Sequence, residues 1–166
     1  MDATMNLKFE KITEFPRGTL AALLKDGYSY EPKFARYWQK QWQEFDDFFY
    51  DNPQIAEKYG FITVLADKPI GFVSWDPRKL PEVAEVGHNC IATAHKSNGY
   101  GGRQMREAVN RIIAQGAKKI IVCTNEKLVA AQRTYESVGF RFVKKSEEPI
   151  CPEYAGQRIH YEIIVN

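Results

Sequence analysis

The chain reads as a mixed α/β (α+β) domain with few parallel crossovers. Three observations predict this. Short β-branched or alternating runs, bounded by turn residues, lie at both ends of the chain and in its middle. Two longer stretches carry apolar residues at helical spacing. A glycine-rich turn leaves a strand-like run and opens a helical one.

Leu7 to Phe15 alternates as a first strand. Arg17 to Asp26 follows Pro16 as a helix, and a longer helix runs from about Pro32 to Phe48. Its stripe of Phe34, Trp38, Trp42, Phe45 and Phe49 reads mostly as core. Off that stripe, Tyr28, Tyr30, Phe48 and Tyr50 are candidate walls of an acceptor site. Phe61 to Ala66 and Ile70 to Trp75 are short strands joined by a hairpin turn at Asp67-Lys68-Pro69. Asp76-Pro77-Arg78 breaks the chain before a strand from Ala84 to Ala94. A helix spans Arg103 to Gln115 and stops at Gly116. Lys118 to Thr124 is a β-branched strand, and Leu128 to Val138 a helix stopped by Gly139. Phe140 to Lys144 and Ile159 to Val165 are the last strands. The order is β-α-α-β-β-β-α-β-α-β-β.

At 166 residues, with 44% hydrophobic and 27% charged positions, one domain over residues 1–166 is the natural expectation. A net charge of +2 gives no whole-protein electrostatic attraction to nucleic acid or membrane. No apolar run has spanning length and no secretory signal is seen. Cys90, Cys123 and Cys151 form neither a metal spacing nor a disulfide framework, which makes a reducing cytoplasm the expected compartment. His88, His95 and His160 make no close pair, so no zinc site is expected.

The turn Lys96-Ser97-Asn98-Gly99-Tyr100-Gly101-Gly102 is the most informative stretch. Glycine permits positive φ and close approach of the backbone to a ligand. The free N–H groups at a helix start, with the helix dipole, favour an anion there. A phosphate or pyrophosphate is the natural guest; a tight turn holding nothing is the alternative on this stretch alone. The Gly-Lys-Ser/Thr ending of a Walker loop is absent, and the third glycine of a dinucleotide fingerprint is replaced by Gln104.

Lys96-x-x-Gly99-x-Gly101 resembles the Arg/Gln-x-x-Gly-x-Gly/Ala loop of the GNAT acyltransferases. Ala84-Glu85-Val86, the glycine turn and Met105 resemble the strand-loop-helix core of that family, and particularly its protein-lysine branch. Ala131-Gln132-Arg133-Thr134-Tyr135-Glu136-Ser137-Val138-Gly139-Phe140 resembles the family's Ala-x-x-x-Tyr-x-x-x-Gly-Phe ending. These motifs cover roughly residues 84 to 143. Lys96 departs from the usual Arg or Gln. Leu128 stands where Asn is common, and Asn125, nearly one helical turn earlier, is the candidate to replace it.

The resemblance implies the GNAT fold: a mostly antiparallel central sheet of about six to seven strands flanked by about four helices. It implies transfer of an acetyl group from acetyl-CoA to an amine by direct attack. By that resemblance, backbone N–H groups of Asn98, Gly99, Gly101 and Gly102 hold the pyrophosphate, with Lys96 and Tyr100 in the same loop. The strand at Ile91, Ala92 and Thr93 pairs with pantetheine, and Asn125 and Ala131 border the cofactor. Glu85 occupies the place of the strand glutamate that acts as base. His88 is a second candidate, with an unperturbed pKa suited to the task. Tyr135 is the candidate acid for the departing thiolate. A GNAT-like module that binds acyl-CoA without turnover, as a sensor or partner subunit, is the alternative. A phosphate-binding domain unrelated to coenzyme A is a weaker one. An exposed aromatic in the final hairpin could support a homodimer.

Overall fold

A computed structural model describes residues 6–166. Seven strands lie in the order β1-β2-β3-β4-β5-β7-β6 in one sheet. They are β1 (Leu7–Glu10), β2 (Gly60–Leu65), β3 (Lys68–Asp76), β4 (Ala84–Ile91), β5 (Lys119–Asn125), β6 (Arg141–Ser146) and β7 (Arg158–Ile164). The β1–β2, β2–β3, β5–β7 and β6–β7 pairings are antiparallel, and β4–β5 is parallel. Among the described residues, five α-helices accompany them: α1 (Thr19–Gly27), α2 (Pro32–Asp51), α3 (Pro53–Lys58), α4 (Tyr100–Ala114) and α5 (Val129–Ser137). The chain divides into two compact units. One comprises the residues to Ser74 with His88–Tyr100, the other Trp75–Gly87 with Gly101–Asn166.

In the first unit, α1 buries Leu20, Leu23 and Leu24, and α2 buries Phe34, Trp42 and Phe49. Tyr28 stacks on Trp42 at 5.9 Å and meets Phe34 edge-on at 5.8 Å. Such aromatic pairs contribute roughly 0.5–1.5 kcal/mol each beyond the area they bury. Asp46 of α2 is fully buried and accepts the N–H groups of Gly18 (2.9 Å) and Ala21 (3.0 Å), so a side chain of one helix caps the start of another. The first strand is shorter than its alternation predicts, because Ile12–Glu14 closes into a 3₁₀ turn that buries Ile12. The hairpin turn sits earlier than expected. Ala66 and Asp67 both take positive φ (49° and 64°), the signature of a two-residue primed turn, and Lys68 and Pro69 already belong to β3. Pro69 cannot donate to the ladder, and the register slips between its partner Val64 and Thr63.

In the second unit, α4 buries Met105, Ala108, Val109 and Ile112, while β5 buries Ile120 and Val122. Trp75 donates its indole N–H to the Gln115 side chain at 2.9 Å. The 147–157 connection is tied to the β5–α5 turn. Gln157 N–H reaches the Glu126 carboxylate at 2.9 Å and the Asn125 amide donates to the Ala155 carbonyl at 3.3 Å. On β6, Phe142 and Val143 are about half exposed. No helix among the described residues is long and apolar enough to cross a membrane.

Candidate functional site

The glycine turn has the backbone its composition predicts. β4 ends at Ile91, and a 3₁₀ turn at Thr93–His95 leads to Lys96. Ser97 and Gly99 then take left-handed conformations, with φ of 66° and 80°. The Asn98 amide folds back onto the carbonyls of His95 (3.3 Å) and Lys96 (3.1 Å). A Cβ added at Gly99 would meet no atom within 4 Å, and one at Gly102 would meet only the Ser137 hydroxyl at 3.8 Å. The backbone is therefore bare on that side of the turn. Tyr100 opens α4 with its ring buried near His95. A bare turn with alternating left-handed residues, followed by a 15-residue helix, fits an anionic group such as pyrophosphate.

Lys96 does not stretch toward that turn. Its ammonium donates to the Gly27 carbonyl at the end of α1 and lies over the Tyr30 ring at 4.5 Å. A cation there complements the negative end of the helix dipole. Partial burial lowers the pKa of Lys96. The side chain works as a brace between the turn and the end of α1. Two of the three amides expected to meet pantetheine are also engaged within the protein. Ala92 N–H donates to Ile70 at 2.7 Å, and Thr93 N–H donates to the Asp26 carboxylate at 2.8 Å. The Thr93 hydroxyl donates to the Asp26 carbonyl at 2.8 Å. Asp26 was invisible to sequence reasoning, since it is simply one more acid near a helix end.

His88 is half-buried beside two half-buried rings of the α2 stripe, Phe45 at 4.7 Å and Trp38 at 6.2 Å. Burial pushes its pKa below the ordinary 6.5, so the imidazole is neutral at pH 7. The same burial makes it a reluctant proton acceptor. Among the stripe residues, Phe34, Trp42 and Phe49 are core, whereas Trp38 and Phe45 form this niche. Of the aromatics expected to wall an acceptor site, Tyr28 packs on Trp42 and donates its hydroxyl to the Asn89 carbonyl at 3.0 Å, and the Tyr50 hydroxyl reaches the Ile12 carbonyl at 3.4 Å. Both have structural duties. Tyr30 and Phe48 are about half exposed.

Glu85 is exposed on β4 and lines a cavity of about 310 Å³ with Asp76, Arg78, Lys79, Val83 and Ile121. Arg78 clamps Asp76 through its Nε (2.9 and 3.0 Å) and Nη2 (2.6 Å), which holds the Asp76 carboxyl below the usual carboxylate range. The sequence marks Asp76-Pro77-Arg78 only as a chain break; the cavity it builds carries no spacing signal.

Tyr135 is buried on α5, with its ring on Phe140 (5.8 Å) and Tyr161 (6.0 Å). Tyr161 donates to Glu136 at 3.0 Å, and burial pushes its own phenol up to about 12. Ala131 sits half-buried on the same helix. Asn125 has a different duty from the one its position suggested. It is fully buried, its Oδ1 accepts the Lys127 N–H at 2.8 Å and its amide nitrogen donates to Ala155. Both ends of the amide are engaged in the fold. Gln132, passed over in the sequence, donates to the carbonyls of Asn125 (3.2 Å) and Glu126 (2.8 Å) and secures the start of α5. Arg106 reaches the Ser137 carbonyl at 3.3 Å, at the end of α5. No group of His, Cys, Asp and Glu among the described residues could hold a metal.

Comparison with known proteins finds the same fold. The chain resembles the solved yncA of Salmonella typhimurium, determined with its cofactor acetyl-CoA. The identity is 10% and the TM-score 0.75, over 97% of this chain and 95% of that one. It resembles RimL, the ribosomal L7/L12 α-N-protein acetyltransferase in complex with coenzyme A, at 11% identity and a TM-score of 0.77, over 98% and 96%. It also resembles a mutant of the spermidine N-acetyltransferase SpeG from Vibrio cholerae, at 18% identity and 0.72, over 96% and 94%. At these identities the likeness shows the fold. No curated protein matches the sequence. The family model described as acetyltransferase (GNAT) family matches residues 21–140, more than half of the sequence, and the chain belongs to that family.

Proposed function

We propose that this protein transfers an acetyl group from acetyl-CoA to a primary amine of a small molecule or protein. The observation that carries the reading is the bare left-handed turn at Ser97 and Gly99 opening α4, on a GNAT fold. Acetyl-CoA supplies the activated acyl group; its C–S bond breaks as the C–N bond to the amine forms. Backbone N–H groups from Asn98 to Gly102 bind the pyrophosphate. Pantetheine pairs with the end of β4 around Ile91, Ala92 and Thr93, with the Ala92 and Thr93 amides already engaged within the protein. Glu85 takes the proton that the acceptor ammonium must lose, and His88, neutral but poorly able to hold a charge, ranks behind it. The Tyr135 hydroxyl protonates the departing thiolate.

Direct attack by the amine is favoured over an acyl-enzyme on Cys90 or Cys123. Burial pushes the Cys90 thiol up to about 12 and raises that of Cys123, so neither supplies thiolate at neutral pH. Thiol release from acetyl-CoA over a panel of amines tests the reading. Tyr135→Phe should lower turnover about 10²- to 10⁴-fold while leaving coenzyme A affinity nearly unchanged. Calorimetry showing no binding of coenzyme A at millimolar concentration would sink it. Tight binding with no acceptor turned over would favour a non-catalytic acyl-CoA sensor.

A further inference from the structure

We propose that the acceptor amine also carries a carboxylate, and that the cavity at Glu85 is built to hold such a small zwitterion. The inference rests on Glu85 being the proton acceptor. Six residues line the cavity, and four of them are ionisable. Asp76 and Arg78 neutralise one another through the bidentate clamp, reinforced by the Arg78 N–H on the Asp76 carboxylate at 2.9 Å. The two remaining charges are the carboxylate of Glu85, which feels the Arg78 guanidinium at longer range, and the ammonium of Lys79, which feels the Asp76 carboxylate. Among the described residues neither makes an ion pair within 4.0 Å. Val83 and Ile121 supply the apolar wall of the cavity.

One unpaired acid, one unpaired base and an apolar wall complement a molecule with an ammonium, a carboxylate and a short carbon chain. The adjoining hollow, which shares Val83 and Ile121, adds no unpaired charge of its own. Its Lys118 pairs with Glu82 at 2.9 Å and its Lys119 with Glu162 at 3.8 Å. A volume of about 310 Å³ lies at the small end of ligand cavities, which suits a molecule of amino-acid size. A polyamine is disfavoured, because its second ammonium would face the Lys79 ammonium. A neutral amine fits but leaves Lys79 to solvent.

The test uses three acceptors on one skeleton: 4-aminobutanoate, 4-aminobutanamide and butane-1,4-diamine, with the two- and six-carbon series alongside. The readout is kcat/KM per free amine. In the parent protein the carboxylate should exceed the amide about threefold and the diamine about tenfold, with the preference shrinking as salt screens it. Lys79→Glu, at an exposed position where folding should survive, should reverse the order of carboxylate and diamine. Equal rates, a diamine preference in the parent, or an order unmoved by Lys79→Glu would overturn the acceptor class while leaving acetyl transfer intact. If no amine turns over, calorimetry of the same probes into coenzyme-A-saturated protein decides. A retained carboxylate preference then keeps the acceptor class and removes acetyl transfer, and its absence removes both.

Discussion

Replacing Asp46 by asparagine should be among the most damaging single-atom changes in this protein. The carboxylate is fully buried, and its two oxygens accept separate N–H groups at the start of α1, Oδ1 from Gly18 at 2.9 Å and Oδ2 from Ala21 at 3.0 Å. Asparagine keeps the shape but retains one acceptor and turns an amide donor toward the other N–H. A hydrogen bond to a charged group is worth about 1.5–3 kcal/mol, and a negative charge at a partly buried helix start adds up to about 2. The terms overlap, so a loss of roughly 2–4 kcal/mol is expected. With a urea slope of about 2 kcal/mol/M, the middle of the usual range of about 1–3, the midpoint should fall by roughly 1–2 M. Asp47→Asn is the control. Its neighbouring carboxylate pairs with Arg17 at 3.3 Å with both side chains nearly half exposed, and surface pairs contribute about 0–1 kcal/mol. Equilibrium urea unfolding of parent and both variants measures the contrast. An Asp46→Asn loss no greater than that of Asp47→Asn would refute the capping argument.

Two further outcomes follow from local geometry. Gly156→Ala should destabilise by more than about 2 kcal/mol, because the backbone has a φ of +115° and the new Cβ would fall 2.8 Å from the Asn125 side-chain oxygen; loosened 147–157 amides in hydrogen exchange would report the same defect. Burial depresses the His88 pKa below 6.5, so the unfolded chain binds the proton more readily and the stabilising difference, complete above pH 6.5, is lost as pH falls toward the folded value, with a slope of up to about 1.4 kcal/mol per pH unit. His88→Phe should flatten that part of the curve, while His160, also depressed, remains in both proteins and cancels. A parent-minus-variant difference that is the same at pH 7.5 and pH 5.5 would exclude the effect.

What the sequence made legible depended on whether the signal was local. The glycine turn, the β5 run and the strand-helix order are local patterns, and apart from the shortened β1 each of these elements formed within a few residues of its expected span. Helix α3 was not anticipated, because six residues carry too little periodicity to separate from a loop. The site divides along the same line. The turn at Ser97–Gly99 follows from glycine and its neighbours alone, so its left-handed backbone was readable. The duties of Lys96 and Asn125 were not, since both are set by distant partners: the Gly27 carbonyl in one case and the 147–157 connection in the other. Each side chain sits where the motif suggests a ligand contact, and each turns inward because an unmet carbonyl lies within reach. A motif position fixes where the backbone is; the side chain goes to whichever partner the tertiary fold presents. The same logic applies to Glu85 and Lys79. Asp76 and Arg78 take each other, and what remains unpaired in the cavity is the feature on which acceptor choice turns.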